Sequence, residues 1–245
     1  MKNKLLKILC LSLIPAGSPL FSQHKLKIGL DAGYTYNVMN ANLYSLTESR
    51  YTSGSGAGGN LSVEYNVWKN IFVSTGVSFW QKNYNFERTG TYAGWYTKYS
   101  NNILSFPLLA GGYLLGNPHE KEGIWIKLAG GMYTDYWLRM KREGRYSLTT
   151  TQDFNISGDG IDVKGDYAQA SDTYDFKKNE NQLNRWGYGL QGQAQIGYAL
   201  KKIDLYAAYN YQYGLSDINK SDNDKNQKMS FRSYMISAGI AYKFK

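Results

Sequence analysis

The stretch Ser233–Phe244, SYMISAGIAYKF, alternates at every step. Tyr234, Ile236, Ala238, Ile240, Tyr242 and Phe244 fall on one face, and Ser233, Met235, Ser237, Gly239, Ala241 and Lys243 on the other. Successive side chains of a strand point to opposite faces, so this is a strand with one oily side and one small or polar side. Alone it would suit any half-buried sheet. Seven further segments repeat the pattern: Lys25 to Val38, a strand ending in Leu61, Val63, Tyr65 and Val67, Ile71 to Phe79, Asn102 to Leu115, a strand opening at Ile124, Gly187 to Leu200, and Ile203 to Tyr213. Strands of ~10 residues cross a bilayer when tilted, and an even number returns both termini to one side.

The connections support the same picture. Trp68 to Asn70, Gly116 to Gly123 and Lys201-Lys202 are short, whereas 40–56, 87–98, 139–185 and 215–231 are long. Short periplasmic turns opposite long outer loops are the expected asymmetry of an outer-membrane barrel. The pattern predicts an all-β chain: an eight-stranded antiparallel transmembrane β-barrel in the outer membrane of a Gram-negative bacterium.

The chain opens on an export signal. Lys2, Lys4 and Lys7 precede an apolar run from Leu5 to Ile14, broken by Pro15, Gly17, Ser18 and Pro19, with a cleavage point at Ser22-Gln23. That run is too short to span a bilayer as a helix, so residues 1–22 are expected to be a cleaved signal peptide and 23–245 the barrel domain. Cys10, the only cysteine, would leave with the signal, and the mature chain would have no disulfide.

Composition narrows the function classes. The chain carries a net charge of +9; the three signal lysines supply +3, and +6 remains on residues 23–245. On an exported chain this excess favours anionic lipid and lipopolysaccharide over nucleic acid. Tyr 23 and Gly 26 against Pro 4 suit aromatic girdles around a narrow interior and fit a soluble αβ enzyme poorly. Two places resist the pattern. Beyond Phe79 the apolar phase shifts to Trp80, Tyr84 and Phe86, as at a bulge or a membrane exit. Pro107 stands inside a strand although it cannot donate to the ladder.

Ile103-Leu104-Ser105-Phe106-Pro107-Leu108-Leu109 resembles the fourth strand of the PorT-like outer-membrane barrels of Bacteroidetes. Tyr211-Gln212-Tyr213-Gly214-Leu215-Ser216-Asp217-Ile218 is similar to that family's seventh strand entering an outer loop, and Gly239-Ile240-Ala241-Tyr242-Lys243-Phe244 to its closing strand. The resemblance covers the mature chain in outline and implies architecture and location. It also implies that the barrel-assembly machinery reads the terminal strand during insertion. A secretion or gliding role, linked to the family's named member, has no marker residue here.

The alternation places Lys27, Asp31, Glu64, Lys127, Asp135 and Asp204 in the lumen, beside Gln191, Gln193, Gln195 and Asn210. Eight strands enclose just enough space for their own side chains, and unpaired charges there would be costly. These charges are therefore expected to pair as a polar plug; the functional alternative is an ion path or gate. Chemistry has little to stand on. His24 and His119 both lie at the periplasmic end of this topology, away from an outer-leaflet substrate, so no Ser-His-acid site is expected. Neither a cofactor nor a metal is expected. Asp159, Asp162 and Asp166 lack the spacing of a calcium loop. The long loop 139–185 holds eight basic and eight acidic residues and suggests a hairpin around Ser157-Gly158-Asp159-Gly160, with Tyr146 to Ile156 as one arm and Ile161 to Tyr167 as the other. Tyr34, Tyr36, Trp68, Tyr136, Tyr211 and Tyr213 are expected to anchor the membrane interfaces. The expectation is thus a non-enzymatic protein that binds an extracellular or secretion-machinery partner, or assists assembly, through its outer loops. The alternatives are a narrow channel and, behind it, a lipid-modifying enzyme.

Overall fold

The computed structural model describes residues 25–41, 47–147, 161–164, 167–179, 182–220 and 228–244. The expected signal segment 1–22, His24, Cys10, Asp159 and Asp166 lie outside the described residues.

Eleven strand segments follow in order: β1 (Leu26–Ala41), β2 (Ser49–Trp68), β3 (Ile71–Gln81), β4 (Tyr84–Arg88), β5 (Tyr96–Leu115), β6 (Gly123–Ser147), β7 (Ile161–Lys164), β8 (Tyr167–Thr173), β9 (Trp186–Ala199), β10 (Ile203–Gly214) and β11 (Met229–Lys243). Eight of them close a ring. β1 pairs with β2, then β3, β5, β6, β9, β10 and β11 follow, and β11 returns to β1, every pairing antiparallel. β4 continues the line of β3 above Lys82-Asn83 and bonds to β2 and β5. β7 and β8 form a hairpin that extends the upper part of β6.

The ring is staggered. Followed from Lys27, the paired positions are Glu64, Ser74, Leu109, Gly131, Gln191, Gln212 and Ser233, and the circuit closes on β1 at Asn37, ten residues above its start. Closing with such a stagger tilts the strands by roughly 40° to the axis. The terminal strand then shows the membrane thickness. From Phe244 to Tyr234, at about 3.3 Å per residue and that tilt, its outward line rises about 25 Å, the height of an apolar band. Leu30, Leu61, Val77, Leu108, Leu128, Ile196, Leu205 and Ile236 are exposed along this band. Trp68, Tyr198, Tyr242 and Phe244 edge it below, and Tyr34, Tyr36, Trp186, Tyr188, Tyr209 and Tyr213 edge it above. The short turns and both described chain ends share the lower rim.

Three sequence expectations change. First, no phase shift occurs at Phe79. Phe72, Ser74, Ser78, Trp80, Lys82 and Tyr84 all face inward on one parity. What changes is the filling of the lumen, from small polar groups to aromatics. Second, strands outlast the membrane: β6 runs to Ser147, so the first nine residues of 139–185 are sheet, and β2 begins at Ser49 inside the expected loop 40–56. A register shift between Asn102 and Ile103 marks a bulge on β6 at Leu138, beyond which Met140 rather than Arg139 turns inward. Third, the expected arm Ile161 to Tyr167 is not one strand: β7 pairs antiparallel with β8, which begins at Tyr167. Tyr146 and Ser147 pair with Ala168 and Tyr167 of β8, and residues 148–160, with the expected turn, lie outside the described residues.

Pro107 also receives a physical account. The β3–β5 pairing runs from Ile71 to Thr75 and resumes at Ser78, skipping the rungs opposite Pro107 and Phe106. The ladder is interrupted where the N–H is missing. Thr75 Oγ1 donates to the Pro107 carbonyl at 2.9 Å and holds the two strands together across the gap.

Candidate functional site

The lumen is built from the inward parity of all eight ring strands. Its lower level is an ion network. Lys27 Nζ lies 3.1 Å from Glu64 and 3.6 Å from Asp204. Lys127 is paired with the other oxygen of Glu64, and Lys243 Nζ lies 2.9 Å from Asp204. Tyr113 donates its hydroxyl to Glu64 and accepts from Lys27 at 2.7 Å. Asp31 accepts from Asn60 at 2.6 Å and from Tyr206 at 3.0 Å. These groups are nearly all fully buried. Lys27, Lys127 and Lys243 each have a carboxylate partner in Glu64 or Asp204, which satisfies the demand that buried charges be paired.

The network is roofed and floored by rings. Phe72, Tyr113, Trp125 and Tyr206 pack together, with Ala199, Ala208 and Ala241. Lys27 lies 4.8 Å from the Trp125 ring centre and Lys127 lies 4.7 Å from that of Phe72, so the cations also sit on aromatic faces. Gly197 makes this seal possible, because a Cβ there would fall 2.4 Å from the Trp125 ring. Below, the turn 116–122 folds against the opening. His119 is buried with Nε2 3.8 Å from Glu64, and Lys243 Nζ donates to the carbonyls of Pro118 at 2.9 Å and Leu200 at 2.7 Å.

The middle level is amide and hydroxyl. Gln193 donates to Asn210 at 2.8 Å, Gln212 donates to Gln191 and to Ser105 at 2.9 Å each, and Ser233 donates to Asn37 at 2.6 Å. The upper level is a second seal: Met39, Tyr84, Ile103, Trp137, Met140 and Phe231 pack across the lumen. Beneath it Lys82 Nζ lies 2.6 Å from Asp135. Of the six lumen residues expected from sequence, Lys27, Glu64, Lys127 and Asp204 meet in one network, Asp31 stands one level above it, and Asp135 is separate. Their partners Lys82, Lys243, Tyr113, Tyr206 and His119 do not follow from the alternation. Lys243 had the right parity in the terminal strand, which was the available signal.

Above the membrane, β2, β4, β5, β6 and β8 form an extracellular rim. Arg142 holds Asp172 through Nε at 2.9 Å and through a second nitrogen, a two-pronged pair. Tyr84 stacks on Tyr99 at 4.5 Å. Burial pushes the Tyr146 phenol up to about 12, and it accepts from Thr97 at 3.0 Å. Between β2, β4 and the turn before β5 lies a groove of about 570 Å³, lined by Arg50, Glu87, Arg88, Trp95, Tyr96 and Lys98 among others. Arg50 pairs with Glu87 at 2.9 Å. The groove combines cations, one anion and two rings, the equipment for a polar ligand with acidic groups.

Among the described residues no group of three or more His, Cys, Asp or Glu could hold a metal ion. Residues 21–220 match the family described as outer membrane protein beta-barrel domain. No curated protein matches the chain. The fold is similar to the outer membrane protein OprG of Pseudomonas aeruginosa, at 15% identity over 91% of this chain and 98% of that one, TM-score 0.50. Neisserial surface protein A is similar at 15% identity over 89% and 97%, TM-score 0.47. The outer membrane protease OmpT of Escherichia coli is similar at 12% identity over 94% and 99%, TM-score 0.49.

Proposed function

Because the chain belongs to the outer membrane protein beta-barrel domain family and so sits in the outer membrane, we propose that it works there as a closed, non-enzymatic barrel that binds a partner through its extracellular rim. The observation that carries this is the contrast between its two ends. The lumen is filled at every level by paired charges, amides and two aromatic seals. The strands nevertheless continue above the membrane as a twisted rim that carries the Arg50–Lys98 groove. A narrow channel would need that filling to move. A lipid-modifying enzyme would need an acid–base group at the outer leaflet, and His119 lies at the opposite end. Within the family, the strand from Ile103 to Leu109 supports a PorT-like branch. Residues 1–22 serve as the signal peptide, and insertion through the barrel-assembly machinery reads β11.

The test is photo-crosslinking on living cells. A photoreactive residue at Arg50 or Lys98 should give a discrete adduct, and one at the lipid-facing Leu205 should not. Planar bilayers should show no conductance steps for the wild type. Adducts missing from both rim positions, or steady conductance steps, would overturn the proposal.

A further inference from the structure

Two arginines share an unusual local geometry at the upper edge of the apolar band. The Arg232 guanidinium lies 3.3 Å from the centre of the Tyr213 ring, and its Nη1 donates to the Gly214 carbonyl at 3.2 Å. The Arg185 guanidinium lies 4.6 Å from the centre of the Tyr136 ring, and its Nε donates to the Trp137 carbonyl at 3.0 Å. In both cases the cation is laid on a girdle tyrosine and pinned to the carbonyl of the residue that follows that tyrosine. Each arginine has five N–H donors in a planar fork, so one carbonyl bond fixes the fork and leaves most of its donors for another group.

Their position on the barrel decides what that group is. Arg232 continues the outward line of Ile240, Ala238, Ile236 and Tyr234 on β11 and stands one step above the last ring. Tyr136 packs against Trp186 at 4.7 Å, and Trp186 is among the most exposed side chains of the outer surface. β6, β9, β10 and β11 are consecutive in the ring, so both arginines lie on one arc of the wall. In the same row on β3 and β5 stand the neutral Gln81 and Asn102, paired with one another. A groove of about 480 Å³ opens beside Arg232, lined by Tyr213, Gly214, Lys228 and Ser230 among others. This height, immediately above the acyl region on the long-loop side, is where the outer leaflet carries its phosphate groups. Bidentate donors on a rigid aromatic bed suit a phosphate better than a mobile lysine would.

We propose that Arg185 and Arg232 form a phosphate-binding collar for the headgroup of lipopolysaccharide, confined to the β6–β9–β10–β11 arc. The proposal rests on the placement in the outer membrane and not on the rim-binding function, so either can fail alone.

The test measures the temperature at which the purified full-length barrel loses its compact, unboiled gel mobility. It is titrated with lipopolysaccharide bearing lipid A phosphates, with the same lipid after enzymatic dephosphorylation, and with inorganic pyrophosphate. The phosphorylated lipid should raise the midpoint, and the half-maximal concentration should rise about tenfold in the double variant Arg185→Gln/Arg232→Gln. The periplasmic Lys201→Gln should behave as wild type. Equal shifts by phosphorylated and dephosphorylated lipid would mean acyl contact alone and would overturn the proposal. A shift by pyrophosphate at the same concentrations would mean a site for free phosphate, and would overturn it also. Should the double variant give no folded band, the comparison of the two lipids on the wild type still decides.

Discussion

Lys82 Nζ lies 2.6 Å from Asp135 Oδ2 across the lumen, joining the top of β3 to β6 beneath the upper aromatic seal. Lys82 has no exposure, and it rests over the Tyr133 ring at 4.9 Å. Removing either partner would leave a buried charge without compensation. Lys82→Ala or Asp135→Ala should therefore cost about 3–5 kcal/mol, read as a fall in the urea midpoint for barrel unfolding. Replacing both, as Lys82→Met/Asp135→Leu, should recover most of that loss. A double variant no better than the singles would show that the pair does more than balance charge.

Thr75 and Pro107 make a second, smaller test. The Thr75 hydroxyl bridges the gap that Pro107 leaves in the β3–β5 ladder. Thr75→Val should lose about 1 kcal/mol, the net worth of one hydrogen bond. Pro107→Ala restores an N–H facing β3 and should cost nothing or stabilise slightly. Amide exchange at residue 107 of that variant should be slow, because the new N–H would join the ladder; fast exchange would mean the strands are held apart by something other than the proline.

The two aromatic seals act in series, so opening one should leave the barrel closed. Phe72→Ala/Trp125→Ala removes the lower seal, and Trp137→Ala/Phe231→Ala removes the upper. Neither pair should give steps in a planar bilayer. The combined fourfold variant, if it still shifts on heating, should conduct. Conductance from a single pair would place the whole barrier at that level.

Much of this was legible before the structure, and the reason is geometric. A strand's parity is fixed over its whole length, so Ser233 to Phe244 and the other seven runs told lumen from lipid without any knowledge of contacts. Parity alone puts Lys27, Asp31, Glu64, Lys127, Asp135 and Asp204 inside. Lys82 is not legible in this way, because Trp80 and Tyr84 make the inward face there look like an outward one. The partners could not be read either. Lys243 meets Asp204, and Lys127 meets Glu64, through the stagger of the ring, which depends on register summed over all eight pairings. The bulge at Leu138 and the upper course of β6 were hidden for the same reason: they are set by neighbours and not by local alternation.

The turn after β8 carries a pH dependence of defined sign. Asp175 accepts from the backbone N–H groups of Lys177 at 2.8 Å and Lys178 at 3.2 Å. Those bonds favour the ionised form and hold its carboxyl below the ordinary aspartate value. A carboxyl depressed in the folded state lends order that is complete above the unfolded value and is lost as pH falls through the folded one. The protection factors of the Lys177 and Lys178 amides, each taken against the intrinsic exchange rate at the same pH, should therefore be high near neutrality and fall as the pH drops below about 4. Asp175→Asn should keep the wild-type heat shift of the barrel at every pH, because Asp175 is exposed beyond the wall. Asp175→Asn keeps an accepting oxygen but cannot titrate there. It should weaken the protection and remove its pH dependence together; protection that still varied with pH in this variant would assign the effect to another group.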